Sequence, residues 1–135
     1  MATVRDLENT CGELCQLLTR CRGVVYSNHD VADLLTLAAL RSQPWARQAG
    51  AYVLLYGLHV RYVGRALKGQ GLASRLWEHI RSNKAFRENV EGGGERPRIA
   101  VLALHDDDAW LAPSLELLLH WRTRGGGDLW NKKRC

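Results

Sequence analysis

A few residues of this 135-residue chain combine types and spacings that could do chemistry. Arg75 and His79 stand four apart in LASRLWEHIRSN. At ~100° per residue, a helix carries such a pair on adjacent turns of one face. A cation and an imidazole then point together along the rim of the apolar arc of Leu72, Leu76 and Ile80; the plainer alternative is a surface arginine beside a partly buried histidine. Glu116 lies inside SLELLLHW, ringed by leucines and Trp121. A helix apolar on nearly all sides is buried. A desolvated carboxylate there needs a cation or a metal, because burying it unpaired is costly; otherwise Glu116 lies on an exposed strip, paired with Arg122 or an N-terminal arginine. Tyr52, Tyr62, Gly50 and Gly64 share the stretch GAYVLLYGLHVRYVGRA, which by itself supports only a hairpin.

The surrounding sequence predicts the elements that position these groups. Tyr52 to Tyr56 and Val60 to Val63 read as an antiparallel strand pair turning at Gly57. Gly69 and Gly71 punctuate a loop, and the helix of Arg75 and His79 follows. EGGGERP is a connector, Arg98 to Leu104 a buried third strand, and Leu111 to Arg122 a helix with Pro113 in its first turn. Three consecutive acids, Asp106, Asp107 and Asp108, cannot all face one point from a regular element, so with His105 they read as a helix cap rather than a metal cluster. RGGGD then breaks the helix before a basic tail, LWNKKRC. Upstream, residues 4 to 21 have helical period, and Ser27, Asn28 and Asp30 offer caps for a second helix over roughly 30 to 41, closed by Pro44. The expected fold is therefore α+β: a small three-stranded antiparallel sheet flanked by helices. Residues 1–48 form an N-terminal helical extension packed on a core of residues 49–135, one compact domain overall.

Composition narrows the function classes. The formal charge is +5 with a pI near 9.3, and arginine predominates over lysine, which suits contacts to phosphate. No run approaches the ~20 apolar residues of a membrane span, and MATVRDLENT lacks the features of a secretory signal. A soluble, intracellular protein with no membrane partner is expected. Cys11, Cys15, Cys21 and Cys135 form no Cys-x-x-Cys pair, and read as small core or surface residues in a reducing compartment.

Taken in order, these residues resemble the GIY-YIG nuclease family. Its first motif element corresponds to Gly50-Ala51-Tyr52 and its second to Tyr62-Val63-Gly64. Its helix arginine and the histidine four residues on correspond to Arg75 and His79, its metal-binding glutamate to Glu116, and its downstream asparagine to Asn131. The resemblance covers roughly residues 50 to 131. Ala51 replaces the usual aliphatic residue, KGQG lengthens the step from Tyr62 to Arg75, and Arg65 follows the second glycine, yet no catalytic group is lost.

The resemblance implies a divalent-metal-dependent DNA endonuclease, restriction-type or stand-alone and structure-dependent. Tyr52, Tyr62, Arg75, His79 and Glu116 form the catalytic set, and Gly64, Arg65, Asn131 and Lys132 meet the substrate. Glu116 would hold one Mg²⁺ (or Mn²⁺) per active site, and Arg75 would grip the scissile phosphate. A free phenol has a pKa of about 10, so either Tyr52, with help, or His79 is the base. One site cuts one strand; cutting both needs a homodimer, a second visit or a partner. The alternative is a non-catalytic nucleic-acid-binding or scaffolding module on the same fold.

Overall fold

The structure, a computed structural model, describes residues 3–17, 24–56, 59–82 and 97–123. The first helix, α1 (Val4–Leu17), opens on a reciprocal cap. Thr3 N–H donates to the Asp6 carboxylate at 2.9 Å, and Asp6 N–H returns a bond to the Thr3 hydroxyl at 3.3 Å. Leu7 and Cys11 are buried on its inner face. The predicted continuation to residue 21 lies outside the described residues, as do Cys21, Cys135, Gly57, Asn131 and Lys132.

The next segment corrects the sequence expectation. Val24–Asp30 is a strand, β1, and the sheet has four strands rather than three. Ser27 and Asn28, expected to cap a helix, make contacts along the strand instead. The Ser27 hydroxyl meets His29 Nε2 at 2.7 Å, Asn28 donates to the Tyr26 hydroxyl at 3.1 Å, and Arg98 Nε donates to Asn28 Oδ1 at 2.7 Å. The Trp45 indole also donates to His29 Nε2, at 3.1 Å. An indole N–H can only donate, so this nitrogen accepts. Burial, then the Arg98 charge, hold the His29 pKa below its ordinary value. In place of a helix from 30 to 41 there is a 3₁₀ turn, Val31–Leu34, and a short helix, α2 (Leu37–Arg41), capped by the Thr36 hydroxyl.

The hairpin is present as expected, with β2 (Gly50–Tyr56) and β3 (His59–Ala66) antiparallel. β4 (Pro97–Leu104) is the expected buried strand. The order is β1-β4-β2-β3, with every neighbouring pair antiparallel. β2 therefore has a neighbour on each side and helices on both faces, so Ala51, Tyr52, Val53, Leu54 and Leu55 are all buried.

The register between β2 and β3 shifts between Leu54, opposite Tyr62, and Leu55, opposite Val60. Arg61 is the extra residue of this bulge. It resets the alternation, so Val60 and Val63 both join one core while Tyr62 faces the other.

The two sheet faces carry separate cores. On one, Ala51, Val53 and Leu55 meet Leu7 and Cys11 of α1 and Leu115 and Leu119 of the last helix, α4 (Ala112–Thr123). On the other, Tyr52 and Leu54 meet Leu40, Trp45 and the helix α3 (Leu72–Ser82) through Leu72 and Leu76. His105 caps a 3₁₀ turn, Asp106–Leu111, its Nδ1 accepting from Asp107 N–H at 3.2 Å. That agrees with capping. No described helix is long and apolar enough to cross a membrane.

Candidate active site

The site is assembled at the edge strand β3. Tyr52 lies opposite Gly64, and Tyr62 lies opposite Leu54 two positions along. Their rings stack with centroids 6.3 Å apart and planes 17° apart. His79, from α3, stands edge-on to both, at 5.5 Å from the Tyr52 ring and 5.1 Å from Tyr62. Tyr62 Oη and His79 Nε2 are 3.5 Å apart, the outer limit of a hydrogen bond.

Gly64 makes this arrangement possible. A Cβ at residue 64 would overlap the phenol end of Tyr52. The glycine is therefore what leaves room for the Tyr52 phenol against β3. Gly50 serves elsewhere: a Cβ there would run into the Leu102 carbonyl oxygen of β4. Its role is close pairing of the central strands.

Tyr52 is 1% exposed, and its hydroxyl has no hydrogen-bond partner among the described residues. The Arg75 guanidinium is close enough to favour the phenolate. Burial nonetheless pushes the Tyr52 pKa well above the usual phenol value, and the charges of Tyr62 and Glu116 add to the rise. Tyr52 is thus a neutral phenol at pH 7.

His79 shifts the other way. Burial, then the Arg75 charge, lower its pKa to about 4, against a smaller opposing pull from Glu78. The imidazole stays neutral through pH 5 to 8 and can accept a proton there. In an NMR pH titration the His79 ring is expected to have its midpoint near pH 4; a midpoint at the ordinary ~6.5 would refute this burial.

Arg75 donates to Glu78 Oε2 at 2.9 Å. A cleft of about 270 Å³ opens beside the pair, lined by Arg75, Glu78, His79 and Ser82. Glu78 was not foreseen from the sequence, although its three-residue spacing from Arg75 was a signal for it.

Glu116 approaches from the opposite face, on α4. It is buried, as one of the two sequence readings held, but its partners were not foreseen. Arg65 Nε lies 3.5 Å from Glu116 Oε2, and His120 Nε2 lies 3.5 Å from Oε1. Arg122 is engaged with Glu13 instead, at 2.9 Å. His120 sits one turn after Glu116, so the Glu-x-x-x-His spacing in SLELLLHW could have revealed it.

Consecutive residues of a strand face opposite sides, and that connects the halves. Gly64 clears one face for the Tyr52 phenol, while Arg65 reaches Glu116 on the other. The structure thus gathers Tyr52, Tyr62, Arg75 and His79 on one side of β3 and places Glu116, with Arg65, on the other.

Comparison of the chain with family models, with curated proteins and with solved structures found no match.

Proposed function

We propose that this chain is a divalent-metal-dependent endonuclease that hydrolyses DNA phosphodiester bonds, of the GIY-YIG type. The observation that carries the reading is the Tyr52 hydroxyl, buried without a hydrogen-bond partner among the described residues, beside Tyr62, His79 and Arg75. An unsatisfied buried hydroxyl costs about 1–3 kcal/mol. A chain that keeps one between a neutral imidazole and a guanidinium has an arrangement suited to a water and a phosphate.

The donor chemistry fits one hard cation. Glu116 offers carboxylate oxygens and no sulfur, and a magnesium-class ion takes one or two carboxylates and completes its shell with water and phosphate oxygens. Access to those oxygens requires Arg65 to move off Oε2. Bound at Glu116, such an ion would supply positive charge to the phosphate and to the leaving oxygen.

The remaining steps belong to the chain's own side chains. Arg75 holds a non-bridging phosphate oxygen by charge-assisted hydrogen bonds, exchanging part of its contact with Glu78. The Tyr52 and Tyr62 hydroxyls position the attacking water, and His79, neutral at working pH, accepts its proton directly or through Tyr62. Of the two candidate bases, only His79 is unprotonated at working pH, since burial keeps Tyr52 a neutral phenol; the same burial makes the imidazole a weaker base.

The test is incubation with plasmid, branched and single-stranded DNA, in Mg²⁺ or in EDTA, beside Arg75→Ala. Cleavage by the wild type in Mg²⁺ alone is expected, with the variant slower by about a hundredfold. Intact DNA on every substrate would remove the nuclease reading.

A further inference from the structure

The environment of Glu116 contains a cation already. Its side chain is 1% exposed, and a basic group stands against each carboxylate oxygen. The two are not equivalent. His120 is itself buried, 7% exposed and on the same helix, so it is a fixed neighbour of Oε1. Arg65 covers Oε2 from the edge strand and is 33% exposed, with solvent on its outer side.

We propose that Arg65 is a built-in competitor for the cation position at Glu116, holding the carboxylate until a nucleic-acid phosphate draws the guanidinium away. This rests on the reading of Glu116 as the cation-binding carboxylate. A guanidinium and a divalent ion seek the same oxygens, and in a poorly solvated pocket two cations at one carboxylate repel strongly. Charge balance gives the order of events. Glu116 and Arg65 together are neutral, so a divalent ion arriving alone leaves a surplus of two positive charges. A phosphate arriving with it removes one of them and offers Arg65 a second anion of matching geometry.

Arg65 is well placed to change partners. It directly follows Gly64, over which the Tyr52 phenol lies, so the carboxylate and the phosphate position flank one flexible side chain. Metal and nucleic acid then bind with positive coupling, which by linkage acts equally in both directions. In the free chain, divalent ions bind weakly.

The experiment measures Mn²⁺ binding without nucleic acid, by electron paramagnetic resonance of the free ion. It compares the wild type with Arg65→Gln, Arg65→Lys, Glu116→Gln and the double variant Arg65→Gln/Glu116→Gln, each checked for folding by thermal melting. Arg65→Gln is expected to bind Mn²⁺ about tenfold tighter or more. Arg65→Lys, which keeps the charge, stays near the wild type, and the double variant loses the gain. If folded Arg65→Gln binds no tighter while Glu116→Gln binds more weakly than the wild type, the competitor role is overturned and Glu116 remains a cation ligand. If Glu116→Gln matches the wild type and the double variant matches Arg65→Gln, Glu116 holds no cation, and both readings of it fall. A check independent of substitution at Arg65 uses its Nε–H resonance in the wild type. This signal is expected to move as Mg²⁺ is titrated in, and a resonance that stays put while the ion binds overturns the proposal.

Discussion

Replacing Glu116 by Gln is expected to lower the rate of DNA cleavage by about a thousandfold, the scale on which loss of one charge-stabilising group at a reacting centre is felt. The substitution keeps the shape of the side chain and removes only its charge. Arg65 is left without its anion, but it is a third exposed and can return to water. His120, the other neighbour, can offer its ring nitrogen to an amide as well as to a carboxylate. The stability cost is therefore about 1–3 kcal/mol, and a melting curve recorded beside the cleavage assay separates a chemical defect from an unfolded chain. A folded Glu116→Gln that cuts as fast as the wild type would remove Glu116 from the reaction.

Gly64→Ala has the largest effect expected from a single methyl group. The new Cβ would overlap the phenol end of Tyr52. The ring has little room to retreat, because the side chain is 1% exposed and packs against Tyr62 and His79. Overpacking of this kind costs about 1–3 kcal/mol, read as a lower midpoint in urea, and it displaces the hydroxyl on which the proposed water depends. A double-mutant cycle with Tyr52→Ala identifies the cause. If the clash is with Tyr52, removing the ring makes room for the methyl, and the two stability losses sum to more than the double variant shows. Strict additivity would place the strain elsewhere.

The elements that carry the site were legible where their signals were local. The helix of Arg75 and His79 declares itself by period, the hairpin by β-favouring residues either side of a turn, and β4 by a short apolar run. The fourth strand was not legible. Val24–Asp30 mixes valines and Tyr26 with Ser27, Asn28 and Asp30, and those polar residues are as good at starting helices as at lining an edge strand. What decides between them is pairing with β4, a contact about seventy residues away that no local pattern records.

The site divides in the same manner. Burial of Glu116 could be argued from the apolar ring around it, but its pairing with Arg65 spans a strand and a helix. The sequence offered Arg122 as a partner because it is near in the chain, and the fold places that residue against Glu13. Gly64 was visible as a glycine beside a tyrosine motif, yet its purpose needed the register that sets it under Tyr52.

The bulge at Arg61 has a consequence for how such a protein can vary. It lies between the hairpin tip and the paired positions that hold Tyr52 and Tyr62. On the far side of it, the tyrosines are referenced to β4 and to Gly64, not to the tip. Changes in length between Tyr56 and His59 can be taken up at the irregularity before they reach the rings. The fold thus separates the end of β2 and β3 near Tyr56 and His59 from the part that carries the rings, whose spacing is set by pairing with Gly64 and β4.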